Sequence, residues 1–132
     1  MMSDKKRILV VDDDEDFLVT TRHRLETAGY DVVTADSESK AAEALADCAP
    51  DLAVLDLMME HMDSGFKLAY RIKKLDKSIP VVMVTGVTGE TGMMFGAATN
   101  GERSWIHADV VLDKPIRYEQ LSREIERLLR VS

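Results

Sequence analysis

Four apolar runs with no polar alternation constrain this chain more than anything else in it: Ile8-Leu9-Val10-Val11, Leu52-Ala53-Val54-Leu55, Val81-Val82-Met83-Val84 and Val110-Val111-Leu112. A strand with one wet face alternates, so an unbroken run reads as a strand buried on both faces, and such strands belong to parallel sheets covered by helices. The residues that follow the runs are chemically capable: Asp12-Asp13-Asp14, Asp56, Thr85 and Asp113-Lys114. In open α/β sheets the ligand crevice lies at the carboxyl ends of the strands, which makes an acid there a better functional candidate than one on a helix surface. The competing reading of Asp56 is a solvated strand-end aspartate.

Helical patterns lie between the runs. Phe17, Leu18, Thr21 and Leu25 recur at three-to-four spacing, and Gly29 is expected to close that helix in a left-handed conformation before a strand at 31–35. Ser37 or Asp36 can cap a helix from Glu38 to Asp47, whose Ala41, Ala42, Ala44, Leu45 and Ala46 suggest a small-residue face for packing on a sheet. Phe66, Leu68, Ala69, Ile72 and Leu75 mark a third helix, and Tyr118, Leu121, Ile125, Leu128 and Leu129 the buried stripe of a final one. Residues 86–107 hold five of the seven glycines. A helix over 90–99 is expected there, kept short because each internal glycine costs about 1 kcal/mol relative to alanine.

Five βα units predict an α/β fold, a five-stranded doubly wound parallel sheet of flavodoxin-like order 2-1-3-4-5 with helices on both faces. That order makes the first and third strands neighbours and brings Asp12, Asp13 and Asp56 to the switch point, with Thr85 and Lys114 on the same edge. Asp14 can be assigned to capping the first helix, but three consecutive carboxylates exceed what a cap requires, and their repulsion calls for a cation. Oxygen ligands suit Mg2+, held by Asp12, Asp13, Asp56 and the backbone carbonyl of Met58. Asp56 could then attack phosphorus as a carboxylate nucleophile, the metal and Lys114 neutralising the charge on the phosphoryl oxygens, with the Thr85 hydroxyl donating to the product.

Composition narrows the partners. With 132 residues and 45% hydrophobic content the chain suits one domain, and 17 basic against 24 acidic residues give a net charge of -7. That balance disfavours nucleic acid and anionic membrane and favours a protein or a cation. No apolar run approaches the roughly 20 residues that span a bilayer, and no signal peptide is read, so a cytoplasmic location is expected. Cys48 cannot form an internal disulfide and is read as a partly buried structural thiol; His23 is read as exposed and His61 as a solvated loop residue.

Taken together, Val11-Asp12-Asp13, Val54-Leu55-Asp56-Leu57-Met58-Met59, Val84-Thr85-Gly86 and Asp113-Lys114-Pro115 resemble the receiver domain of response regulators in two-component signalling, over nearly the full chain. The resemblance implies phosphotransfer from a phosphohistidine on a sensor histidine kinase or histidine phosphotransfer protein to Asp56, with Asp12 and Asp13 holding Mg2+. It implies a signalling domain that catalyses only its own phosphorylation and dephosphorylation, and a cis Lys114-Pro115 bond. With its last helix ending near Ser132, the chain is expected to be a single receiver over 1–132 with no output domain, acting on another protein.

Three departures from the family pattern stand out. Val111 occupies the position of the aromatic residue whose rotamer follows the threonine. The stretch from Thr85 to Lys114 is longer than usual and includes the family's common docking and dimerisation surface, which leaves room for a homodimer. Met58 and Val87, at the positions that modulate phosphoryl lifetime, are both apolar, which suggests a long-lived phosphoform. Two alternatives remain: a phosphorylation-independent adaptor using the same fold, and a metal-dependent aspartyl-phosphate phosphohydrolase. The second is weakened by Met58, because such enzymes carry a second aspartate at that spacing.

Overall fold

Each predicted strand forms, and the three central ones are sandwiched between helices. A computed structural model describes residues 6–56, 64–85, 109–113 and 117–131. In chain order these give β1 (Arg7–Val11), α1 (Glu15–Thr27), β2 (Asp31–Ala35), α2 (Glu38–Asp47), β3 (Leu52–Asp56), α3 (Ser64–Leu75), β4 (Val81–Thr85), β5 (Val110–Asp113) and α4 (Tyr118–Val131). The strands pair in parallel in the order β2-β1-β3-β4-β5, as the alternation of runs and helices predicted.

Alternate residues of a strand point to opposite faces, and in β1, β3 and β4 both faces are buried. Leu9, Val11, Ala53, Leu55 and Met83 pack on one side with Ala41 and Leu45 of α2 and Leu68, Ala69 and Ile72 of α3. Ile8, Val10, Leu52, Val54, Val82 and Val84 pack on the other with Leu18 and Leu25 of α1 and Leu121 and Ile125 of α4. This double coverage is why the runs of β1, β3 and β4 carry no polar residues; the fourth run departs from the expected burial on both faces, since Val111 on the edge strand β5 is 38% exposed. All five residues of β3, Asp56 included, are buried.

Local chemistry sets the helix ends. Asp14 accepts hydrogen bonds from the Asp16 and Phe17 amides at 3.0 and 3.4 Å, and Ser37, rather than Asp36, accepts from the Lys40 amide at 3.2 Å. Gly29 has φ 103°, and its amide donates to the Glu26 carbonyl while that of Tyr30 donates to Leu25, closing α1 as expected. Tyr118 ties α4 to α1: its hydroxyl donates to the Arg24 carbonyl at 3.3 Å, and the Arg24 guanidinium lies 5.0 Å from its ring centre.

Three further expectations are corrected. Leu75 is 52% exposed, because it sits on the last turn of α3 beyond Lys73, which already reaches the starts of β4 and β5. Ala46 is exposed as well: Ala41 and Leu45 point inward, and the next residue is rotated by about 100° away from them. Cys48 is exposed and not partly buried, since α2 stops at Asp47 and its extended cap residue carries the thiol off the packed face.

The helix expected over 90–99, the Lys114-Pro115 bond and the side chain of Phe66 lie outside the described residues. Among the described residues no helix is long and apolar enough to cross a membrane.

Candidate functional site

The sheet register builds the site. Val11 pairs with Leu55 across β1 and β3, so the next residue on each strand, Asp12 and Asp56, meets the other at the carboxyl rim. From this point β1 connects toward β2 on one side and β3 toward β4 on the other, which opens the crevice that parallel sheets use for ligands. Asp12 is fully buried and Asp56 is 4% exposed. Asp13, the first residue to turn out of the sheet, is exposed.

One carboxylate oxygen from each of Asp12, Asp13 and Asp56 can be chosen so that all lie within 4.8 Å of one another. The Asp12 amide donates to the Ala35 carbonyl at 3.1 Å, and its Oδ1 accepts from the Asp14 amide at 2.9 Å, fixing the turn in which Asp13 sits. Asp14 is absent from the cluster because its carboxylate is committed to the N-terminus of α1. The triple-acid run thus divides as its excess charge suggested, one residue for the helix and two for the rim.

Buried carboxylates are costly unless paired, hydrogen-bonded or bound to a metal. The cluster is anionic and its three side chains offer only oxygen ligands, which fits a hard divalent cation such as Mg2+. Softer metals prefer nitrogen or sulfur, and among the described residues neither candidate is at the rim: His23 is exposed on α1, as expected, and Cys48 follows α2 in a cleft lined by Arg7 and Leu9 at the other end of the sheet.

Thr85 ends β4 and pairs in register with Asp113 at the end of β5, which places its backbone on the same rim as Asp56. Its side chain, and the whole of Met58, His61, Val87 and Lys114, lie outside the described residues. Val111 pairs with Met83 on the edge strand β5 and is 38% exposed.

One group of residues carried no sequence signal. Lys73 Nζ donates to the Ile79 carbonyl at 2.7 Å and to Asp109 Oδ2 at 2.9 Å, and the same Oδ2 accepts from the Val81 amide at 2.8 Å. This joins the end of α3 to the starts of β4 and β5, the two strands that lead to Thr85 and Lys114. The partners are 36 positions apart, so no local pattern could have exposed the link.

Comparison with known proteins agrees with this geometry. The family model described as response regulator receiver domain matches residues 8–126. The alkaline phosphatase synthesis transcriptional regulatory protein PhoP of Bacillus subtilis is 30% identical over 127 residues, covering 96% of this chain and 50% of that protein. The response regulator receiver protein CpdR of Brucella abortus is 32% identical over 124 residues, covering 94% of this chain and 97% of that one. Several other curated relatives are DNA-binding or transcriptional regulators, and the chain spans about half the length of most of these. Among solved structures, the non-phosphorylated HemR receiver domain of Leptospira biflexa superposes with a TM-score of 0.79 at 31% identity, covering 97% of both chains. A CheY-like receiver from Methanospirillum hungatei gives 0.80 at 28% identity, covering 96% of this chain and 94% of that one. The matched span, the sheet order and the acidic rim coincide, and the chain belongs to the response regulator receiver family of two-component signalling.

Proposed function

We propose that the chain receives a phosphoryl group on Asp56 from a phosphohistidine of a sensor kinase or histidine phosphotransfer protein in the cytoplasm, and that this changes how it binds another protein. The observation that carries the reading is the meeting of Asp12, Asp13 and Asp56 within 4.8 Å at the switch point of the sheet. Asp12, Asp13 and Asp56, with the Met58 carbonyl, would hold Mg2+, whose chemistry there is to neutralise phosphoryl oxygens.

In this reading an Asp56 carboxylate oxygen attacks phosphorus, the P–N bond to the donor imidazole breaks, and the imidazole leaves with the bonding pair and takes a proton. Burial of Asp56 in β3 holds the carboxylate in one orientation and limits the approach of bulk water. Lys114 balances the new charge, and the Thr85 hydroxyl donates to a phosphoryl oxygen, drawing the following segment inward. The chain turns over no separate substrate; it catalyses only its own phosphorylation and dephosphorylation.

Incubation with Mg2+ and acetyl phosphate should add one hydroxylamine-sensitive phosphoryl group per chain. Asp56→Asn should abolish it, and chelation of the metal should suppress it. Labelling at another residue, or continuous turnover of the donor far beyond one equivalent with no phosphoprotein, would refute the reading.

A phosphorylation-independent adaptor remains the second reading. It is favoured by Val111, an exposed aliphatic residue where the resemblance implies an aromatic one that reports the state of the threonine. Equal partner binding by the wild type and Asp56→Asn, in the presence of phosphodonor, would decide for it.

A further inference from the structure

From Lys67 onward, α3 and the turn after it carry charge opposite to the rest of the molecule. Residues 67–77 contain five basic residues, Lys67, Arg71, Lys73, Lys74 and Lys77, against the single acid Asp76, in a chain whose net charge is -7. Lys73 is turned inward by its bonds to the Ile79 carbonyl and Asp109. Lys67, Arg71, Lys74 and Lys77 are exposed, and the first three fall at the i, i+4, i+7 spacing that lines one face of a helix.

Apolar surface lies alongside. Among the described residues only four large hydrophobic side chains are exposed, and two of them, Tyr70 at 50% and Leu75 at 52%, lie in this stretch. The Lys74 ammonium sits 5.5 Å from the centre of the Tyr70 ring, within cation-π range. Tyr70, Lys73, Lys74, Leu75, Asp76 and Lys77 line an open groove of about 620 Å3, in which the one carboxylate, that of Asp76, is already engaged by the Ser78 hydroxyl and amide. The groove lies by the start of β4, at the opposite end of the sheet from the proposed acceptor site, so it does not serve that site.

We propose that this groove docks a short acidic segment of a partner protein, one carrying an apolar side chain between its carboxylates. The apolar side chain would cover Tyr70 and Leu75, and the carboxylates would meet Lys74 and Lys77 in the groove and Arg71, exposed one turn before Leu75 on the same helix. Charge decides among anionic partners. A nucleic acid duplex or membrane is broad enough to bring the acidic remainder of the surface close to its own charge, at separations comparable to the roughly 8 Å screening length. A peptide strand is narrower than the stripe and meets only the basic face. From Lys67 to Leu75 the helix rises about 12 Å, the length of roughly four extended residues.

The test uses the full chain, labelled with 15N, and an acetylated heptapeptide alternating glutamate and leucine. The expected result is amide shifts confined to α3 and the 76–79 turn, dissociation constants that rise with salt, and at least tenfold weaker binding to Arg71→Glu/Lys74→Glu. Tyr70→Ala should weaken binding at every salt concentration. Acetyl phosphate labelling of the charge-reversed variant should match that of the wild type, which verifies its fold and separates failure here from failure of the proposed phosphoacceptor role. Shifts elsewhere, or binding indifferent to the charge reversal, would overturn the proposal. So would stronger binding through the same residues to phosphatidylglycerol vesicles or to a random-sequence DNA duplex, or sedimentation showing a dimer that Arg71→Glu/Lys74→Glu dissolves.

Discussion

Replacing Asp13 by asparagine should make the protein more stable without Mg2+ and less stable with it. Asp13 is the exposed member of the cluster, with carboxylate oxygens that can approach those of Asp12 and Asp56 within 4.8 Å. Two unit charges at that separation repel by about 0.9 kcal/mol in a water-like dielectric and about 3.5 kcal/mol at an effective dielectric constant of 20. Because Asp13 faces solvent, the lower figure governs, and physiological salt reduces it further. Relief from both neighbours then amounts to about 1 kcal/mol, or a rise of about 4 °C in Tm for a domain of this size. With Mg2+ the sign reverses. At a metal concentration 100 times Kd the wild type gains about 2.7 kcal/mol by linkage, whereas a variant bound about 100-fold more weakly gains only about 0.4 kcal/mol. The assay is thermal unfolding by circular dichroism in EDTA and over a Mg2+ titration, with K+ at matched ionic strength as the control. A variant that is less stable than the wild type in EDTA, or that gains as much from Mg2+, would refute the idea that the three carboxylates form one cation site.

Two further perturbations probe the frame around that site. Lys73→Met keeps the side-chain stem but removes the bonds to Ile79 and Asp109, and should cost about 2 kcal/mol in urea unfolding, less than a fully buried pair because Asp109 is partly solvated. Arg22→Ala, which breaks only the exposed i,i+4 pair with Glu26, should stay within about 0.5 kcal/mol, and equal losses would contradict the distinction. Asp76 titrates below its ordinary value of 3.8, first because its carboxylate accepts from the Ser78 hydroxyl and amide at 2.7 and 2.9 Å, then because of the Lys73 charge. A lowered folded value means stability that is present above the unfolded pKa and lost as pH falls through the folded one. Ser78→Ala should therefore raise the Asp76 titration midpoint, followed by carboxyl 13C NMR, toward 3.8, and an unchanged midpoint would reject the hydroxyl as its main cause.

The elements of this protein are written locally. A strand buried on both faces must be apolar throughout, so β1, β3 and β4 are visible without any partner, and Asp14, Ser37 and Gly29 mark helix ends because capping and left-handed geometry need only neighbouring residues. The acids at the strand ends, together with the order of the runs, were enough to nominate Asp12, Asp13 and Asp56. Their meeting depended on the register of β1 against β3 and on strand order, which belong to the assembled sheet. Tertiary packing also decided what local reading got wrong: Leu75 fits the apolar spacing of α3 but overhangs the sheet, and Cys48, read from cysteine usage as a partly buried thiol, leaves α2 in an extended conformation and is exposed. The Lys73–Asp109 link and the basic, apolar-edged face left outside it became apparent only in the fold, since a lysine in a run of lysines has no distinguishing local context. Local chemistry limits which elements can form and which residues end them; pairing between distant segments determines which of those residues share a site, because a contact is made only after the chain between them has closed.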